Sequence, residues 1–133
     1  MTIIERVKEL HLPLGRYVVI GSGTLDALGL RSANDIDIAA LPELYQQLRA
    51  TGEWKEEERY QKIFLIKEGV EINPQLEWED FPTTTQQAID SALVIDGVPF
   101  LNLEELRKFK LAFGRQKDFD DIALIDRYLD QNA

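Results

Sequence analysis

Cysteine is absent from all 133 residues, and histidine occurs once, at His11. These absences exclude a disulfide framework, a thiolate zinc site and any cluster of imidazole ligands, and they restrict a Ser-His dyad to that one position. Any metal held by this chain must be held by oxygen. Long apolar runs are missing too: nothing approaches the ~18 consecutive apolar residues that a spanning helix requires. The opening stretch MTIIERVKELH mixes acids among its bases and lacks a signal-peptide pattern, so the expected location is the cytoplasm. Basic charge is scarce, with 15 Lys and Arg against 24 Asp and Glu and a net charge of −9. That balance opposes sequence-independent binding to long nucleic acid, which needs several cations facing phosphates. The simplest partners are then a small anion neutralised by a metal, such as a nucleotide, or another protein.

What is present has the composition of a globular chain, 44% hydrophobic and 29% charged, at a length that suits one domain over residues 1–133. IIERVKEL has helical spacing and stops before Pro13, and RYVVIG reads as a buried strand ending at Gly21. Ser22 stands where it would cap a short helix over TLDALGL. DIDIAA reads as a second strand, and PELYQQLRATG as a helix with Pro42 at its first position and Gly52 past its end. YQKIFLIKEGVEIN reads as two strands around a turn at Glu68 and Gly69, TTTQQAIDSAL as a helix, and VIDGVPFL as extended chain turning at Gly97. Asn102 followed by Glu105 resembles a capping box for the helix LEELRKFKLAFG, closed by Gly114, and Asp118 starts a last helix through Leu129. No repeat, low-complexity tract or linker interrupts this order. The expected fold is α/β or α+β, a small mixed sheet flanked by helices.

One stretch does not read as ordinary packing. In VVIGSGTLDALGLRSANDIDIAA, Asp35 and Asp37 stand one residue apart among isoleucines and alanines. Strand side chains alternate, so both carboxylates project to one face, ~7 Å apart, while Ile36 and Ile38 project to the other. Like charges this close push each other's pKa upward unless a cation lies between them. Mg²⁺, or Mn²⁺, suits the site, since it takes one or two carboxylates and completes its shell with water and substrate phosphates. The plain alternative has Asp35 capping the strand start and Asp37 on a solvated edge, and taken alone that account stands ahead. The neighbours change the balance. Upstream, Gly21, Ser22 and Gly23 lie where a strand turns into a helix, a place where backbone N–H groups can receive phosphate, although a tight turn explains the glycines equally. Downstream, Val70 and Ile72 flank Glu71, which supplies a third carboxylate on a strand that can lie beside the first.

Together these residues resemble the nucleotidyltransferase superfamily shared by DNA polymerase beta and the small bacterial minimal nucleotidyltransferases. The pattern stands here as Ile20-Gly21-Ser22, twelve intervening residues, Asp35-Ile36-Asp37-Ile38, and later Val70-Glu71-Ile72. The C-terminal LNLEELRKFKLAFGRQKDFDDIALIDRYL is also similar to the tail of small members, including relatives of AbiEii-type toxins, so the resemblance runs over residues 15–130. It departs at Glu71, where many members carry Asp. The resemblance implies two divalent ions held by Asp35 and Asp37, with Glu71 completing the acceptor-side ion and taking the acceptor's proton, and Gly21 and Ser22 gripping the outer phosphates of a nucleoside triphosphate. The implied reaction moves a nucleoside monophosphate from ATP or another triphosphate to an acceptor hydroxyl and releases pyrophosphate. The acceptor, whether a protein side chain, a tRNA end or a small molecule, is not legible in the sequence.

Basic residues near the motif have two readings each. Lys110 falls on the inward side of its helix, between Leu106 and Phe113, where it either meets an anion or lays its stem on the core and snorkels. Arg31, Arg115 and Lys117 either reach phosphate or complement helix C-termini. Trp54 and Trp78 read as packing residues, and His11 as a surface residue at a helix end. A member of the same fold that has lost transfer and binds a nucleotide or a partner protein, as in a toxin-antitoxin pair, is the alternative function.

Overall fold

The computed structural model describes residues 1–132. Among them the chain forms six helices and seven strands, in the order α1 (Ile3–Lys8), β1 (Tyr17–Ile20), α2 (Gly23–Ala27), β2 (Ile36–Ala40), α3 (Pro42–Ala50), β3 (Lys55–Arg59), β4 (Lys62–Lys67) and β5 (Val70–Asn73), then α4 (Thr85–Asp90), β6 (Leu93–Ile95), β7 (Val98–Phe100), α5 (Leu103–Phe113) and α6 (Gln116–Gln131). The strands make one mixed sheet in the order β3-β4-β5-β2-β1-β7-β6. Pairs β2/β5 and β1/β7 are parallel and the other four are antiparallel. This is an α+β fold with a helix-covered mixed sheet, as the alternation of patterns predicts.

Period-two alternation explains how the sheet builds two cores. Tyr17 and Val19 of β1, Ile36, Ile38 and Ala40 of β2, and Val70 and Ile72 of β5 face one side, where they pack with Ile3 and Val7 of α1 and Leu44 and Tyr45 of α3. Val18, Ile20 and Ala39 face the other, against Ala88 of α4, Leu103 and Leu106 of α5 and Ile125 of α6. Asp37 and Glu71, which alternate with the first set, therefore lie on the α5–α6 side. Parallel pairing sets Asp37 beside Glu71 in register.

Three hairpins close on two-residue turns in which both residues have positive φ: Tyr60 (53°) and Gln61 (63°), Glu68 (49°) and Gly69 (79°), Asp96 (49°) and Gly97 (81°). This left-handed pair matches the twist of the flanking strands. The first of these corrects the sequence reading, because Tyr60 and Gln61 form a turn and the strand begins at Lys62. It also implies β3, KEEER, which the sequence reading leaves unassigned. Strand β3 lies at the sheet edge with exposed charged side chains, the composition that keeps an open edge from pairing with another chain.

Helix ends follow capping chemistry with two differences from expectation. Thr84 and Gln87 form a reciprocal capping box at α4. At α5 only half of the expected box exists: Asn102 accepts from the Glu105 N–H, while the Glu105 carboxylate turns away to accept from Thr83 Oγ1 at 2.6 Å. Helix α6 begins earlier than predicted, at Gln116, with Asp118 in its first turn accepting from the N–H of Arg115. No helix among the described residues is long and apolar enough to cross a membrane.

Candidate functional site

The chain leaves β1 through Gly21, whose φ of +67° puts the backbone where a side chain is strained. A Cβ added there would lie 2.8 Å from Asp37 Oδ2, so glycine is what lets Asp37 lie against the turn. Ser22 follows at the N-cap position of α2, but its side chain caps nothing. Its hydroxyl instead accepts from Arg31 Nη2 at 2.6 Å and from Lys110 Nζ at 3.2 Å. With only five residues, α2 has little dipole to offer a phosphate, which corrects the weight given to its N-terminus. The loop that carries Arg31 into β2 is tied down by Asp26, whose carboxylate accepts from the Ala33 N–H at 2.8 Å.

Asp35, Asp37 and Glu71 all line one cleft of about 890 Å³, together with Gly21, Ser22, Arg31 and Lys110. All seven residues singled out from the sequence thus meet in one place. Asp35 is exposed at the start of β2, and Asp37 is partly buried. The Asp37 carboxyl is raised to about 7, first by burial, then by the Glu71 carboxylate beside it and the charge of Asp35, with Lys110 pulling the other way. Glu71 is also held by a residue the sequence reading did not select. Arg59, the last residue of β3, sets Nη1 3.0 Å from Glu71 Oε1, sets Nε 2.7 Å from Glu57 Oε1, and lies 5.6 Å from the centre of the Phe64 ring.

Beside the acids, the cleft is bordered by a buried charge network on α5 and α6. Lys110 lies 2.9 Å from Asp121 and 3.7 Å from Asp118, with 7% of its side chain exposed. Arg31 grips Asp121 through Nε at 2.6 Å and Nη2 at 2.9 Å. Arg115 donates to Asp118 from both its backbone and its guanidinium. Burial alone pushes both carboxyls up. The bonds from Arg115 to Asp118, and from Arg31 and Lys110 to Asp121, overcome it and hold both below the usual carboxylate range. Lys110 is therefore neither snorkelling nor awaiting an anion alone; it bridges α6 to Ser22 and so fixes the turn that faces Asp37.

Asp121 and Asp118 are the residues sequence reasoning missed here. The available signal was their place on the apolar stripe of α6 that continues to Ile122 and Ile125, since a carboxylate on such a stripe is buried only if a cation waits for it. At its other end the cleft is aromatic, with Trp78 5.2 Å from Phe113 and Phe113 5.0 Å from Phe109, centre to centre. The Trp78 indole N–H is buried without an acceptor. Trp54, in contrast, sits in the core below Lys67, as expected of a packing residue.

Whether this site suits a metal turns on its donors. They are all oxygen, and Asp37 and Glu71 come from adjacent strands in register, close enough for Glu71 to push the Asp37 carboxyl up, so a hard divalent cation fits their chemistry. Yet among the described residues no three His, Asp or Glu side chains are grouped closely enough to hold an ion as they stand, and Arg59 occupies one Glu71 oxygen. Compared with protein-family models, with curated proteins and with solved structures, the chain matches none.

Proposed function

We propose that this cleft binds a nucleoside triphosphate with Mg²⁺ and that the protein transfers the nucleoside monophosphate to an acceptor hydroxyl. The observation that carries this reading is that Asp35, Asp37 and Glu71 line the same cleft as Ser22, Arg31 and Lys110. Such a site presents anionic ligands for a cation and cationic partners for a phosphate in one cleft. Charge distribution supports it as well: Arg31, Arg59, Lys62, Lys110, Arg115 and Lys117 line the cleft, six of the 15 Lys and Arg side chains in a chain of net charge −9. The aromatic end, Trp78 with Phe113 and Phe109, suits a flat heterocycle.

In the reaction, a bond forms between the acceptor oxygen and the α-phosphorus, the bond from that phosphorus to the bridging oxygen breaks, and pyrophosphate leaves. Asp35, Asp37 and Glu71 would hold the metal, whose part is to neutralise phosphate charge and lower the pKa of the acceptor hydroxyl. The hydroxyl's proton passes to Glu71, the carboxylate paired in register with Asp37 and facing the same cleft. Arg31 and Lys110 hold the Ser22 hydroxyl and stabilise charge on the departing phosphates.

A second reading is favoured by one observation. Arg59 bonded to Glu71 leaves only two acids free, as in a member that binds a nucleotide or a partner protein without transfer. Incubation with triphosphates labelled at the α- or γ-phosphorus, with Mg²⁺ and a cell extract as acceptor source, separates the two. Transfer predicts α-label on an acceptor and γ-label in pyrophosphate, both lost in Asp37→Asn. Binding of the triphosphate with both labels left intact in it would favour the second reading.

A further inference from the structure

The cleft face of the sheet carries an arginine paired with one of its acids. Glu57 and Arg59 on β3, Phe64 on β4 and Glu71 on β5 lie on the same face, and the Arg59 side chain crosses the Phe64 ring to reach Glu71. Strand β3 is the edge strand, and Arg59 is the last residue before the Tyr60–Gln61 turn, with Tyr60 82% exposed. The guanidinium is thus mounted at the end of an edge strand and anchored at its rear by Glu57. Its front nitrogen supplies the positive charge that the crowded Asp37–Glu71 pair needs in the absence of a metal.

We propose that Arg59 is a positioning residue that holds Glu71 while the cleft is empty and moves to the triphosphate tail when a divalent cation takes its place. This inference rests on the proposed reading of the cleft as a metal and nucleotide site. A cation arriving between Asp37 and Glu71 repels the guanidinium and removes the charge that held it. The phosphates that accompany the cation offer Arg59 a new partner matched to its planar fork of donors. The exchange makes metal alone a weak ligand, because it must displace Arg59 without compensation, and makes metal with triphosphate a strong one. Specificity for the complex over its parts follows from that one side chain.

Mn²⁺ alone and Mn²⁺ with inorganic tripolyphosphate are the probes, with free Mn²⁺ read by electron paramagnetic resonance on wild type, Arg59→Met, Arg59→Lys and Asp37→Asn. The expected result is that Arg59→Met binds Mn²⁺ alone about tenfold tighter than wild type, while its affinity for tripolyphosphate in the presence of Mn²⁺ falls by about tenfold. Arg59→Lys should recover part of the tripolyphosphate affinity, and Asp37→Asn should bind neither probe. In metal-free buffer the Tm of Arg59→Met should fall, and Mn²⁺ should restore it. If Mn²⁺ binds wild type through Asp37 but Arg59→Met leaves its affinity unchanged or weakened, Arg59 is an ordinary edge ion pair and only this inference is overturned. If neither wild type nor Arg59→Met binds Mn²⁺, the inference and the reading of the cleft fall together.

Discussion

Asp37 is where the residue-scale conflict concentrates, and its titration gives a stability prediction of definite sign. In the unfolded chain its carboxyl loses a proton near pH 4, as model peptides do, while in the fold it holds the proton to about 7. Between those values the folded state binds the extra proton, so metal-free stability falls as pH rises from about 4 to 7 and the full penalty stands above 7. Asp37→Asn should therefore raise the stability of the metal-free protein at pH 8 by on the order of 2 kcal/mol, or several degrees in Tm, and flatten its pH slope. Thermal melts in chelator from pH 5 to 8 measure this; an Asn variant less stable at pH 8 contradicts it. Mg²⁺ should stabilise wild type and leave the variant unmoved. At Gly21 a second prediction follows. Ala there meets both a φ of +67° and a contact of 2.8 Å with the Asp37 carboxylate, so Gly21→Ala should cost about 1–3 kcal/mol in chemical denaturation and weaken whatever Asp37 binds.

Elements decide which of these residues meet. The period-two alternation of DIDIAA and VEIN was legible because isoleucine and valine mark one face so plainly that the acids must occupy the other. Turns at Gly69 and Gly97 were legible for the same kind of reason, since glycine announces a positive φ. Tyr60 and Gln61 adopt that conformation without announcing it, and KEEER has no apolar alternation to mark a strand, so Arg59 escaped selection. The network across α5 and α6 was half legible. Lys110 could be placed on the inward face, but its partners Asp118 and Asp121 come from a helix whose packing the sequence does not state. Removing Lys110 takes one of the cations from those two carboxylates, 0% and 4% exposed, and leaves Arg31 on Asp121 and Arg115 on Asp118. Lys110→Met should cost on the order of 2 kcal/mol at pH 7. Both carboxyls titrate below their ordinary values, so the stability they contribute is present above pH 4 and is lost as pH falls through their folded values. The cost of Lys110→Met should accordingly shrink in strong acid, which denaturant midpoints at pH 3 and pH 7 will compare; an equal cost at both assigns Lys110 a packing role only.

At the scale of the whole molecule, an acidic chain gathers six of its 15 Lys and Arg around one cleft, where they meet six of its 24 Asp and Glu, Asp35, Asp37 and Glu71 among them. An acidic surface repels a free triphosphate, so affinity should depend on the metal far more than on the added charge of any single arginine. The most direct measurement is calorimetric titration of ATP and the other three common ribonucleoside triphosphates into wild type and into an Asp35→Asn, Asp37→Asn double variant, each with and without Mg²⁺. The account predicts heat of binding for at least one triphosphate with wild type and Mg²⁺ together, and none when either the metal or the aspartates are removed. Binding that is indifferent to both, or no binding by wild type under any of these conditions, would contradict it.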